Sequence, residues 1–301
     1  MKAIGVLVVL GLCVLAYFGF ANTSKSNLNN ETVKVTKSES RTLSQGFQDY
    51  WYAGQAEITS YKLTQERYGE LRDGTSVTIF VTEDFLPKEQ VKANRSAEKN
   101  IPVLKLNHTK KYLTGIYPYS VMTSTFSPVN NKDHALKSTF SMQEWCGQVY
   151  LQLNNRKDYE ILSHSYFEGE ADQNMSLPKT WLENEFWNLI RINPEELPTG
   201  EFTALPSFEY FRMSHTPLKE ADATASLFKG DSLSTYTLTY PDLNRELKIY
   251  FESKPPYEIE RWEELHPNGM KTSAEKIERI KSAYWNQNSN QYLYLRDSLG
   301  L

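Results

Sequence analysis

What most constrains this chain is a two-residue rhythm. From about residue 56 onward, segment after segment sets an apolar side chain at every second position, the mark of strands with one buried face. Ala56-Glu57-Ile58-Thr59-Ser60-Tyr61-Lys62-Leu63 alternates in this way, and Ser76-Val77-Thr78-Ile79-Phe80-Val81-Thr82 returns as its partner. Between them Arg72-Asp73-Gly74-Thr75 reads as a tight hairpin turn, with Asp-Gly supplying the positive φ angles. Further strands are predicted over residues 103–106, 117–127, 138–144, 148–153 and 159–167, then 207–213, 221–228, 234–240, 246–251 and 257–264. Strands in this number without βαβ alternation exclude a parallel, doubly wound fold. They predict a mainly β protein of antiparallel sheets, either one large curved sheet or two β blocks in series.

One helix interrupts the pattern. In Thr180–Arg191 the apolar residues at 182, 186, 189 and 190 repeat at helical spacing, and Asn193-Pro194 ends the run. Residues 271–283 suit a helix by their charges, but their apolar positions also alternate and their flanks are strands, so they are assigned as strand. The expected organisation is a first β block over 46–176, the helix within 177–194, and a second β block over 195–301.

The N-terminal 21 residues have a different character. Lys2 is the only charge, and the uncharged run Ala3–Ala21, about 19 residues, is near the ~20 that cross a bilayer. A basic start, an apolar run and an abrupt polar tail make an export signal, with Gly19 and Ala21 small enough for cleavage before Asn22. A cleaved signal peptide and an uncleaved anchor through residues 3–21 both fit. Cys13 precedes a further apolar stretch and is misplaced for lipidation. The positive-inside rule puts the rest of the chain outside the cytoplasm, facing the periplasm. Residues 22–45, rich in Asn, Ser, Thr and Lys, read as a polar tether.

Charge excludes one class of partner. The formal net charge is −4, and losing Lys2 with the leader would make it −5, whereas a nucleic-acid binder concentrates basic charge on one face. Cys13 and Cys146 are the two cysteines, so the exported part has no internal disulfide and no zinc finger. His108, His134, His215 and His266 form no zinc-hydrolase pair, and neither glycine-rich nucleotide loop is present. No cofactor and no metal is expected.

The candidate sites are two. If Met142–Tyr150 and Ser163–Asp172 are neighbouring strands, Cys146 and His164 approach one another, with Glu144, Glu168 or Asp172 behind the imidazole, the residue types of a thiol nucleophile and its base. The competing reading of Cys146 is a small buried hydrophobe. The acids Glu168, Glu170 and Asp172 with Asn174 lack the spacing of a calcium loop and read as a solvated loop. Separately, Tyr50, Trp51, Tyr119 and Trp285 are placed to line a groove for an apolar or sugar ligand, against the alternative of cross-strand core pairs.

The stretches YWYAGQAEITSYKLTQERYGELRDGTSVTIFVTEDF, SMQEWCGQVYLQLNNR and SHSYFEGEADQN, with INPEELPTG, YPDLNRELKI and SAYW further on, resemble a family of uncharacterised bacterial envelope proteins. Members often carry the name septum formation inhibitor Maf. The resemblance implies an envelope location, and the name implies a Maf-type nucleotide pyrophosphatase. Maf proteins are cytosolic α/β enzymes that open with an A-S-x-S-P-R-R loop. The nearest string here, Ser38-Glu39-Ser40-Arg41, lacks the Pro and the second Arg, so no catalytic residue carries over. The expectation is therefore an exported envelope protein, a binding or assembly factor for an unknown ligand or envelope partner. The alternatives are a thiol-dependent hydrolase using Cys146 and His164, and the Maf-type pyrophosphatase.

Overall fold

Two strands that the sequence pairs correctly are joined at an unexpected place. β1 (Ala56–Arg67) and β2 (Glu70–Leu86) meet at Tyr68-Gly69, both at positive φ (59° and 72°), as a two-residue hairpin requires. The predicted Asp73-Gly74 turn lies inside β2 instead. Gly74 sits between Leu63 and Tyr112, and a Cβ there would lie 2.4 Å from the Lys111 carbonyl oxygen. The glycine serves close backbone approach rather than a turn.

The computed structural model describes residues 39–301. The export or anchor segment (residues 1–21), the membrane contact (3–21) and residues 22–38 lie outside the described residues. Residues 39–45 are not tether. Ser40 bridges Asn131, and Arg41 donates to Glu196 Oε2 and the Pro128 carbonyl, each at 2.7 Å. Ser44 then caps α1 (Gln45–Trp51).

The remaining strands are β3 (Val91–Lys92), β4 (Ile101–Thr114), β5 (Tyr117–Pro128), β6 (Lys137–Glu144), β7 (Gly147–Asn155), β8 (Tyr159–Ser165) and β9 (Gln173–Leu177) in the first half. β10 (Trp181–Leu182), β11 (Gly200–Leu205), β12 (Ala221–Phe228), β13 (Leu233–Tyr240), β14 (Arg245–Glu252), β15 (Ile259–Leu265) and β16 (Lys271–Ser282) follow. The two expected blocks are halves of one 16-stranded sheet, because β16 pairs antiparallel with β1 along Ala56–Thr64. The order runs from β10 through β16 to β1, β2, β4 and on to β9, with β3 beside β2. All pairs are antiparallel except β10 with β11. Thr180, between the edge strands β9 and β10, accepts a hydrogen bond from Tyr159 and donates one to the Thr203 carbonyl, both at 2.5 Å. The sheet is therefore rolled, and a single core drawn from both halves fills it.

The helix α2 (Glu183–Ile192) runs through that core and is buried on every face, Glu183, Glu185, Asn188 and Arg191 included. It starts later than the periodicity suggests because Trp181 and Leu182 pair with Ala204 and Leu205. Each buried polar side chain of α2 reaches a different part of the sheet: Glu183 to Arg245, Asn188 to the Leu104 and Thr125 carbonyls, Arg191 to Glu57. Glu185 accepts from the Ala135 and Leu182 N–H groups and from His134. Buried polar groups persist only with such partners.

Residues 207–213 are not a strand. Ser207 caps the Tyr210 N–H at 3.2 Å, and α3 (Phe208–Ser214) buries Phe208, Phe211 and Arg212 at helical spacing. Aromatic density made this segment look β-like. Residues 271–282 are the strand expected.

The contact between His134 and Glu185 carries a pH-dependence. Burial pulls the His134 imidazole down, but the Glu185 carboxylate at 2.8 Å, with Asp133 near, reverses this and leaves it raised. A raised folded value means the stabilisation is full below the unfolded pKa, about 6.5, and is lost as pH rises through the folded one. The stability gap between wild type and His134→Gln should therefore shrink as pH rises above ~6.5, in urea titrations run across that range.

Candidate functional site

Antiparallel connections alternate between the two ends of the roll, so the turns Tyr68-Gly69, Gly115-Ile116 and Trp145-Cys146 share one end with α3. Contacts confirm this: Tyr68 bonds the Tyr119 hydroxyl at 2.9 Å, and Tyr117 lies 6.4 Å from Trp145. Lys110 of β4 bonds Glu209 of α3 at 2.9 Å.

The thiol candidates lie at this end without forming a dyad. Cys146 is exposed in the β6–β7 turn, not the small buried residue that was the competing reading. Glu144 accepts from the Cys146 N–H at 2.6 Å and pushes the thiol up, opposite to what a nucleophile needs. His164 stands opposite Tyr150, four residues along β7 from the thiol or roughly 13 Å of strand, and its Nδ1 lies 3.1 Å from Asp172. Among the described residues no hydrogen bond joins Cys146 to His164. Glu170 bonds Ser165 and His215, so the acidic loop does not converge on a cation.

The four aromatics lie in three places rather than in one groove. Trp51 and Tyr50 are on α1, Trp51 fully buried against Arg191 and Tyr50 bonded to Glu57. Tyr119 is buried and stacked on Tyr112 (centroids 5.0 Å, 7°), a cross-strand core pair. Trp285 is exposed beside Tyr284. Among the described residues the one grouping of three acids with metal-like spacing is Glu252, Glu258 and Glu260, of which Glu258 is already bonded by Arg279 and Glu260 by Lys276.

Buried arginines separate the structural from the unexplained. Four are buried among the described residues: Arg67, Arg191, Arg212 and Arg245. Arg191 holds Glu57 through both terminal nitrogens, and Arg245 holds Glu183 at 2.5 and 2.7 Å and Glu264 at 2.6 Å. Arg67 and Arg212 have no carboxylate within salt-bridge distance, and the Nε of each has no partner among the described residues. Arg67 donates to the Met213 carbonyl at 3.1 Å and lies over the Tyr68 ring at 4.1 Å. Arg212 donates to His215 Nε2 at 3.1 Å over the Phe167 ring, which leaves His215 Nδ1 to donate to Glu170. Burial pulls the Arg212 guanidinium down, and Arg67 adds to that against Glu170. For Arg67 burial acts the same way, but the Tyr119 and Tyr68 hydroxyls reverse it.

α3 lies between two small cavities. One of about 260 Å³ is lined by Gln65, Arg67, Glu209, Tyr210 and Met213, and the other, about 140 Å³, by Leu151, Glu170, Arg212 and His215. Gln65 Oε1 and the Tyr112 hydroxyl, buried at the same end, are also without partners among the described residues. At the same end of the roll Tyr68, Ile116, Trp145 and Tyr166 are 59, 80, 68 and 69% exposed. Carboxylates do line these cavities, Glu66, Glu209 and Glu264 in the first and Glu170 in the second, yet none pairs directly with Arg67 or Arg212. Buried cations without a direct counter-ion suit the anionic head of a partly apolar ligand. No spacing in the sequence marks Arg67 or Arg212.

No family model and no curated protein matches the chain. Among solved structures it is similar to the β-barrel-like protein of the domain of unknown function DUF1849 from Brucella abortus, at 9% identity and a TM-score of 0.44, over 75% of this chain and 98% of that one. Among the described residues no helix is long and apolar enough to cross a membrane.

Proposed function

We propose that this chain is a non-catalytic binding protein of the cell envelope, which takes the anionic group of a small, partly apolar ligand at Arg67 and Arg212. The contrast among the four buried arginines carries the reading, since two are matched by glutamates and two are not. The export-type layout of residues 1–21 supports the envelope location. The raised thiol of Cys146 favours binding over thiol catalysis.

One test needs no ligand. A buried charge kept for binding is a liability to the empty fold, so Arg212→Met should leave the urea midpoint unchanged or raise it. Arg191→Met, which orphans Glu57, should cost about 3–5 kcal/mol. Equal losses in the two variants would make Arg212 a structural residue and overturn the reading. With ligand, thermal shifts against a panel of short-chain and aromatic carboxylates and phosphate monoesters should find compounds that stabilise wild type and Cys146→Ser alike. The same compounds should fail on Arg67→Met/Arg212→Met.

A further inference from the structure

A larger cavity lies elsewhere, on the outer face of the sheet. After β16 the chain turns back across β16, β1, β2 and β4 as a strap of short turns ending in α4 (Tyr294–Asp297). Leu299 is buried under it, packing with Ala56, Ile58 and Val81, and its carbonyl accepts a hydrogen bond from the buried Ser60 hydroxyl. The strap does not fill the space it covers. About 590 Å³ remains between strap and sheet, within the range of small-molecule pockets.

The lining has a definite chemistry. Alternate outward positions of three neighbouring strands, Ile58, Val77, Ile79 and Ile280, make a branched aliphatic floor, and Leu293 and Leu299 lie on the strap side. Lys111 and Arg296 also line the cavity, and no aspartate or glutamate does. Neither cation forms a salt bridge among the described residues. In a chain with 37 acids and 33 basic residues, a cavity with two unpaired cationic side chains and no Asp or Glu side chain runs against the overall balance. Charge complementarity and an aliphatic floor together specify one occupant.

We propose that this cavity is a second ligand site, separate from the Arg67–Arg212 end, which takes the alkyl chain of a single-chain fatty acid with its carboxylate at Lys111 and Arg296. The aliphatic floor supplies the affinity, and the cations select the acid over uncharged chains of equal length. Ser60 and Leu299 hold the strap closed over the chain.

Dansyl-undecanoic acid, titrated into the full chain below its micelle concentration, tests this. Saturable, one-to-one binding is expected, with dansyl emission shifted to the blue and displacement by palmitate. Ile79→Trp, which fills the floor, should weaken binding by at least about tenfold. Lys111→Glu/Arg296→Glu alters exposed charges, so it should fold normally by circular dichroism. It should lose at least about tenfold for palmitate but little for the matching long-chain alcohol. Absence of saturable binding to wild type would overturn the proposal, as would palmitate binding that survives the charge reversal. Loss of binding in Arg67→Met/Arg212→Met instead would move the fatty acid to the other site and equally overturn it.

Discussion

Replacing Arg245 by Met should lower the stability of the fold by about 3–5 kcal/mol, because it orphans the buried Glu183 carboxylate and the mostly buried Glu264 carboxylate at once. Arg245 rises from β14 into the core, where Nη1 and Nη2 hold Glu183 of α2 and Nε holds Glu264 of β15. Burial pushes the Glu264 carboxyl up, yet Arg245, with His266 and Lys110, holds it down to about 2. A depressed carboxyl contributes stability above its unfolded value, about 4.3, and loses it as pH falls toward 2. The deficit of Arg245→Met should therefore be largest at neutral pH and narrow on acidification below ~4, where an orphaned carboxylate escapes by taking a proton. Urea midpoints of both proteins across that range measure it. Adding Glu183→Leu and Glu264→Gln should recover most of the loss, since apolar or neutral replacements remove the unpaired charge. A loss under about 1 kcal/mol at neutral pH would mean that water reaches these groups and that α2 is held by packing alone.

The strands were legible because each carries its own evidence. A strand with one face inward alternates whatever it pairs with, and β13 and β14 show that alternation over eight residues each. What could not be read was set by distant partners. Asp-Gly is a strong hairpin signal, but at Gly74 the requirement came from Lys111 and Tyr112 on β4, some forty residues away. At α3 the competing signals were local and the aromatic content outweighed the helical spacing of Phe208, Phe211 and Arg212. For α2 the apolar stripe predicted the helix but not its burial on the polar side. Glu183, Glu185, Asn188 and Arg191 look like a solvated face until Arg245, His134, Leu104 and Glu57 are brought to them.

The candidate site was less legible for the same reason. Cys146 and His164 are the rarer residue types and drew attention, and their strands are indeed neighbours. Register decides the outcome, and register depends on the turn: Trp145-Cys146 closes β6 to β7 with the thiol outside the sheet. Arg67 and Arg212 are common residues at the ends of a strand and a short helix, 145 positions apart in the sequence. Their lack of a counter-charge is a property of the folded interior, visible only beside the matched pairs of Arg191 and Arg245.

If α2 is the element that makes one fold of the two halves of the sheet, truncating its central side chain should weaken both halves together. Phe186 has no exposed surface, and its ring meets Tyr236 of β13 edge-on at 5.5 Å, Phe202 of β11 at 6.1 Å and Trp181 at 5.8 Å. Two residues on, Asn188 bonds the carbonyls of Leu104 and Thr125 in β4 and β5. The helix thus contacts the second half through Phe186 and the first through Asn188. Phe186→Ala removes a full aromatic ring from a site that its large neighbours cannot collapse to fill, and it should cost about 3–5 kcal/mol. Phe186→Leu, which keeps most of the volume, should cost about 1.5 kcal/mol or less. Unfolding of Phe186→Ala should remain a single transition, with tryptophan fluorescence and far-ultraviolet circular dichroism coincident at the lowered midpoint. Two separated transitions would show that the halves hold themselves up independently and that α2 is cargo in the roll rather than its axle.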